Sequence, residues 1–218
     1  MQVVESWMMD GNSHTDIFID YYQRGFWANA SGSSGPNSAF DLTPVLRRNL
    51  QGLLQQLVIG SILDAGCGDA NLFRHIDLEG RDYNGLDCVP QMIASNQARF
   101  AGQANMRFNI ADVVTATLPQ ADLILCRDVV HYLPTQLIWR FLRNCVATGS
   151  RYLLITHNTH APLSANSATE VGIFRPVNLS QQPFNLPVPI LTIQEDVIAK
   201  ELALWELTSI RDRLPPSA

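Results

Sequence analysis

A doubly wound α/β fold with a mostly parallel sheet is what this chain predicts, on three observations. Short apolar runs alternate with helix-patterned segments through the middle of the chain, a pattern that buries a sheet between two helical layers. The first run, Val58–Leu63, breaks at a turn with two glycines, Asp64-Ala-Gly-Cys-Gly-Asp69. In open parallel sheets, ligands sit beyond the carboxyl ends of strands, so such a turn marks a binding site. Near the end, Ile190–Glu195 and Lys200–Leu207 follow one another on a short connection. That spacing suits an antiparallel pair added to five preceding strands, seven in all.

The elements follow in order. Thr15–Arg24 carries a helical pattern. Gly25–Ser38 is rich in Gly and Ser and reads either as a linker or as a lid, with Trp27 as an aromatic wall over a ligand. Residues 1–40 are therefore expected to be an N-terminal helix with a lid segment, and residues 41–218 the ligand-binding domain, in a single domain overall. Asp41 or Thr43 caps a helix from Pro44 to Leu57, whose Val45, Leu46, Leu50, Leu53, Leu54 and Leu57 keep a helical apolar stripe. Leu72 to Ile76 is expected to begin another helix, and Arg81–Asp87 a second strand ending in an acid. Pro90, at a first helical turn, starts a helix to about Phe100. Met106–Ile110, Ala121–Cys126 and Arg151–His157 read as the third to fifth strands, with a helix from Thr135 to Val146. Residues 158–187 form a long connection with aromatic and arginine content, expected to be ordered and to face a substrate. Lys200–Leu207 reads as a strand, with a helix as the alternative.

Composition excludes several classes. The 218 residues are 46% hydrophobic and 16% charged, as in an ordinary globular protein. A net charge of −5 with no basic stripe argues against a nucleic-acid partner. No apolar run reaches the length of a membrane span, and the first residues lack the basic-then-apolar pattern of a leader. A cytoplasmic protein with no membrane partner is expected. Cys67, Cys88, Cys126 and Cys145 form no metal-like spacing, so reduced, mostly buried thiols and no metal are expected.

The chemistry of the glycine turn narrows its ligand. A dinucleotide fingerprint needs a third glycine where Asn71 stands. Asp64 and Asp69 flank the turn and would repel a pyrophosphate. A ligand carrying positive charge suits it better. Asp87, 23 residues after Asp64, falls where an acid after a glycine-rich turn accepts both ribose hydroxyls. Asp112, after the third strand, suits an adenine amino group, although loop aspartates also cap turns.

These features resemble motif I and the following acids of class I S-adenosylmethionine (SAM) methyltransferases, whose Rossmann-like sheet has seven strands. SAM carries an ammonium and a sulfonium but no phosphate. Closer similarity, over about residues 25–210, is to a bacterial methyltransferase subfamily of largely unassigned acceptor. It is carried by Ser34–Ser38, Ile62–Asp69, Asp122–Asp128 with His131, Gly149–Leu154, Arg175–Leu179, Pro183–Pro187 and Leu204-Trp205. His157 and His160 depart from that subfamily's Thr-rich end of strand five.

The resemblance implies SAM as the cofactor and assigns residues to it. Asp64, Gly66, Cys67 and Gly68 would line its methionine part, Asp87 and Cys88 its ribose, Asp112 and Val113 its adenine. Cys126 and Arg127 would lie under the sulfonium, and Thr43 and Arg47 would reach its carboxylate. His131 is the candidate general base, since imidazole titrates near neutral pH, and Asp128 either orients it or binds a cationic acceptor. Trp27, His157, Arg175 and Asn178 are candidates for acceptor binding, Arg175 through an acceptor carboxylate or phosphate. The expected reaction is methyl transfer to an O or N atom of a small polar metabolite, sugar or peptide. The alternatives are a SAM-binding protein without catalysis and a nicotinamide-dependent oxidoreductase. The sequence is silent on oligomeric state.

Overall fold

Consecutive residues of each central strand divide between two apolar cores, which is why the strands carry no polar alternation. Ile62, Leu123, Leu125, Leu154, Leu202 and Leu204 pack into one layer. Leu63, Ile124, Leu153, Ile155, Ala203 and Trp205 pack into the other. Side chains alternate across a strand, so a sheet covered on both faces needs apolar residues at every position. The computed structural model describes residues 13–28, 32–33, 43–167, 170–195 and 200–216.

Along the chain come α1 (His14–Gln23), α2 (Pro44–Gln56), β1 (Ser61–Ala65), β2 (Asp82–Asp87), α3 (Pro90–Arg99) and β3 (Met106–Ile110). Then follow β4 (Leu123–Cys126), α4 (Thr135–Ala147), β5 (Tyr152–His157), β6 (Leu191–Gln194), β7 (Glu201–Glu206) and α5 (Leu207–Arg211). The sheet order is β3-β2-β1-β4-β5-β7-β6. Strands β1 to β5 are parallel, and β7 runs antiparallel to both β5 and β6. The order reverses between β1 and β4, and the crevice beyond their carboxyl ends is where such a sheet takes its ligand.

α2 buries Leu46, Leu50, Leu53 and Leu54 against the first core. α4 buries Leu137, Ile138, Phe141, Leu142 and Cys145 against the second. The helix expected to begin at Leu72 is only a 3-10 turn, Leu72–Arg74. The glycine turn before it and the Asp77–Arg81 turn after it use up the connection, while Leu72, Phe73, Ile76 and Leu78 are buried all the same. Of the two readings of Lys200–Leu207 the strand is realised, and α5 follows it unforeseen. All four cysteines are free thiols. Among the described residues no helix is long and apolar enough to cross a membrane. Asp41, Ser34–Ser38 and most of the segment read as a lid lie outside the described residues.

Candidate active site

The glycine turn is held by β2 and shaped by what it leaves out. The Gly66 and Cys67 N–H groups both donate to Leu86 O, at 2.8 and 2.9 Å. Gly66 has φ +85° and Gly68 φ +54°, the left-handed region where side chains are disfavoured. A Cβ on Gly66 would stand 2.2 Å from Val129 Cγ2. Gly66→Ala is therefore expected to lower stability by about 1–3 kcal/mol through backbone strain and collision, read as a fall in melting temperature. A variant as stable as the parent would show that the turn tolerates a side chain.

Asp64 faces the turn from the end of β1. It is 6% exposed, and Tyr83 Oη donates to its Oδ2 at 2.7 Å. Burial pushes its carboxyl up to about 7, against the pull of the Tyr83 hydrogen bond and of Arg127. Asp87, ending β2, accepts from Gly68 N at 2.9 Å on Oδ2 and from Val89 N at 2.9 Å on Oδ1. Each carboxylate oxygen offers about two acceptor positions, so both keep room for a diol. Asp112 accepts from Val114 N at 3.0 Å and Thr115 Oγ1 at 2.5 Å, and His14 Nε2 of α1 lies 2.9 Å from its Oδ2. Burial would raise the Asp112 carboxyl, but His14, Thr115 and the Val114 N–H together hold it below the usual range. Asp69 accepts from Ser33 N at 2.8 Å, tying the described part of the Gly/Ser segment to the turn.

Beyond β4 the chain builds a buried cluster of charges. Asp128 takes a left-handed backbone, φ +62°, with its N–H on Thr156 Oγ1 at 2.8 Å. Lys200 Nζ donates to both its oxygens, at 2.9 and 2.8 Å, and stands 3.0 Å from Glu195 Oε2. Arg127 donates through Nε and Nη2 to the same Glu195 oxygen, at 3.1 and 2.5 Å. The Lys200 and Glu195 side chains are 5% and 1% exposed. Burial would raise the Asp128 carboxyl, yet Arg127, Lys200 and His131 hold it below its usual range. The His131 imidazole is pushed down by burial. Its Nε2 sits 2.7 Å from Asn158 Oδ1, while Nδ1 lies 3.5 Å from Asp128 Oδ1 without a hydrogen bond. Glu195 and Lys200 flank the β6–β7 connection and had no signal in the sequence, because they meet Arg127 and Asp128 only through the sheet order.

One cavity, of about 200 Å³, joins these groups. It is lined by Asp64, Gly66, Cys67, Gly68, Asp87, Cys88, Asp112, Val113, Arg127, Asp128 and Trp27 among the residues anticipated from sequence. Asp69, read from sequence as an acid flanking the turn, also lines it, as do Val89, Met92, Tyr132 and Phe174, which were not anticipated as site residues.

Several anticipated residues lie elsewhere. Cys126 is fully buried in the second core, where the alternation of β4 turns it. Thr43 stands before α2 and its Oγ1 accepts from Arg47 Nη1 at 2.8 Å, so the pair contacts each other outside the lining. His131 is sealed below the cavity wall at 0% exposure; Asp128, three residues earlier, reaches the cavity instead.

The long connection after β5 is ordered over its described residues, but its polar groups point inward. Arg175 donates to Leu133 O at 2.6 Å and Ala165 O at 3.0 Å, and burial lowers its guanidinium to about 10. Neighbouring side chains of an extended segment face opposite ways, so Phe174 takes the cavity side and Arg175 does not. Asn178 bonds Thr159 O and Ser180 N within the same connection. His157 Nδ1 accepts from Leu179 N at 3.2 Å, with Trp205 against its ring. Among the described residues no group of His, Cys, Asp and Glu is arranged to hold a metal.

The family model for a methyltransferase domain matches residues 63–149, from β1 through α4. A 2-heptyl-1-hydroxyquinolin-4(1H)-one methyltransferase of Mycobacteroides abscessus is 29% identical over 114 residues, 49% of this chain and 50% of that protein. The chain thus spans about half the length of that relative. Among solved structures, magnesium protoporphyrin IX methyltransferase from Synechocystis PCC 6803 with bound SAH (S-adenosylhomocysteine) aligns with TM-score 0.63 and 15% identity. It covers 89% of this chain and 99% of that one. Human N-acetylserotonin methyltransferase in complex with SAM aligns with TM-score 0.61 and 14% identity, over 89% of this chain and 60% of that one. At such identities the structures speak for the fold, and the matched domain spans the strands that carry the turn and its acids. On that footing residues 63–149 are similar to a methyltransferase domain, and the chain has the fold of these SAM- and SAH-bound structures.

Proposed function

We propose that the chain transfers a methyl group from SAM to an O or N atom of a small molecule held beside Asp128. The observation that carries this reading is the donor set of the cavity. Among its described lining residues, Asp64, Asp69, Asp87, Asp112 and Asp128 are acids, and Arg127, itself bound to Glu195, is the sole Lys or Arg. A cleft of one sign concentrates a ligand of the other, and a sulfonium with an ammonium fits that field where a pyrophosphate does not. Asp87 keeps acceptor positions for a ribose diol, and Val89, Met92 and Val113 offer apolar flanks for a base. When bound, SAM supplies an already activated methyl group.

This chain's residues then orient the acceptor and exclude water, from which much of the rate of a displacement can come. Asp128 stands at the cavity and can accept a hydrogen bond from the acceptor. Lys200 and the Thr156 hydroxyl position Asp128, while His131, sealed behind it, is bonded to Asn158. Isothermal titration with SAM and SAH tests the reading, with micromolar binding expected on the scale of ordinary enzyme ligands. No heat at millimolar ligand would sink it.

A SAM-binding protein without catalysis is the second reading. It is favoured by the same cluster, since Lys200 neutralises Asp128 and no imidazole lines the acceptor end. Transfer of label from SAM to any member of a metabolite pool would exclude it.

A further inference from the structure

We infer that the acceptor is a neutral, flat aromatic compound bearing a hydroxyl, with its ring among Trp27, Tyr132 and Phe174 and its hydroxyl on Asp128. The inference rests on the methyltransferase reading above and names the acceptor class of that site. Three separate parts of the chain send rings to one end of the cavity: the segment after α1, the turn after β4, and the connection after β5. Trp27 meets Tyr132 edge-on at 5.6 Å and 73°, and Tyr132 meets Phe174 at 5.8 Å and 64°. Such pairs set ring faces at steep angles to one another, the arrangement that receives a third ring in stacked or edge-on contact. Phe174 is 57% exposed although it lines the cavity. A ring-shaped occupant would remove that apolar surface from water, at about 25 cal/mol per Å².

Arg127, Lys200, Asp128 and Glu195 sum to zero and are bonded to one another. The cluster thus adds no net charge beside the rings, and choline, which rings also take through cation–π contact, is the competing probe in the test. Arg175, the cation nearest in sequence to Phe174, donates to two backbone carbonyls and does not line the cavity, so it is not placed to meet a carboxylate or phosphate there. Asp128, with both oxygens on Lys200, retains acceptor positions for one hydroxyl.

The step balances with those groups alone. A lone pair of the acceptor oxygen forms the new O–C bond to the methyl carbon as the S–C bond breaks, and the S–C electron pair stays on sulfur. The hydroxyl proton becomes strongly acidic as the O–C bond forms, so even a carboxylate held below its usual range can take it and pass it to water.

The test uses the full chain saturated with SAH, titrated with 1-naphthol, choline, glucose and glutamate. 1-Naphthol is expected to bind at least about tenfold more tightly than the other three, and Phe174→Ala to weaken it about five- to tenfold. SAH affinity of Phe174→Ala, expected unchanged, reports that the variant is folded; Trp27→Phe, which keeps a ring, is expected to retain naphthol binding. Incubation with SAM should add one CH₂ to the probe's mass. Equal binding of all four probes, a preference for choline, or naphthol binding indifferent to Phe174 would overturn the acceptor class while SAH still binds. Failure of SAH itself to bind would overturn the underlying reading as well.

Discussion

Lys200→Met is expected to destabilise the protein by about 3–5 kcal/mol, the cost of leaving a buried ion pair without one partner. Lys200 bridges Asp128 and Glu195 from a side chain 5% exposed, and its loss leaves two carboxylates against Arg127 alone. Glu195 is the more vulnerable of the two, at 1% exposure and with Oε1 already lacking a hydrogen bond. Adding Glu195→Gln restores the charge balance, so the double variant should recover part of the loss. Residues in one network couple by roughly 0.5–3 kcal/mol, a departure from additivity that urea titration resolves. A single variant within about 0.5 kcal/mol of the parent, the range of ordinary surface changes, would show that Lys200 holds nothing together.

Asp64→Asn is expected to abolish a fall in stability that the parent shows as pH rises from about 4 to 7. The folded carboxyl titrates at about 7 because of its burial, whereas in the unfolded chain it titrates near 4. Between those values the folded state holds a proton that the unfolded state has lost. Stability therefore declines with rising pH across that window and levels off above it. At about 1.4 kcal/mol per pH unit the full effect is on the order of 4 kcal/mol. Asparagine stands for the protonated form and can still accept from Tyr83. The variant should match the parent near pH 4 and exceed it at pH 8. Binding a cation beside Asp64 favours its ionised form, so SAM uptake near pH 6 should release a proton in the parent and not in the variant. Calorimetry in buffers of different ionisation enthalpy measures this; identical proton release in both proteins would remove Asp64 from the donor site.

The fold was legible because its signals are local. Met106–Ile110 reads as a strand and is one to the residue, and Pro90 starts α3 as its fixed φ dictates. That Asp64, Gly66, Gly68, Asp87 and Asp112 gather at one cavity was equally legible, since they sit at strand ends that the alternation locates. The far end of the cavity was not. Whether His131 or Asp128 reaches the cavity depends on a single turn of backbone, the left-handed Asp128. Arg175 and Phe174 differ only in which way an extended segment faces. Glu195 and Lys200 lie about 70 residues from their partners Arg127 and Asp128, and only the placement of β7 next to β5 brings them there. The expectation that Arg175 and Asn178 contact an acceptor rested on their place in the long connection, and both instead bond within the protein.

The zero sum of the charges beside Asp128 has a consequence for ionic strength. Added salt weakens the pull of an uncompensated field on an approaching charge, and far less the bonds inside a buried, balanced cluster. The donor end, walled by Asp64, Asp69, Asp87 and Asp112, has the first kind of field, and the acceptor end has the second. With SAM and an uncharged acceptor bound as proposed, uptake of the first is expected to weaken with added salt and uptake of the second to change little.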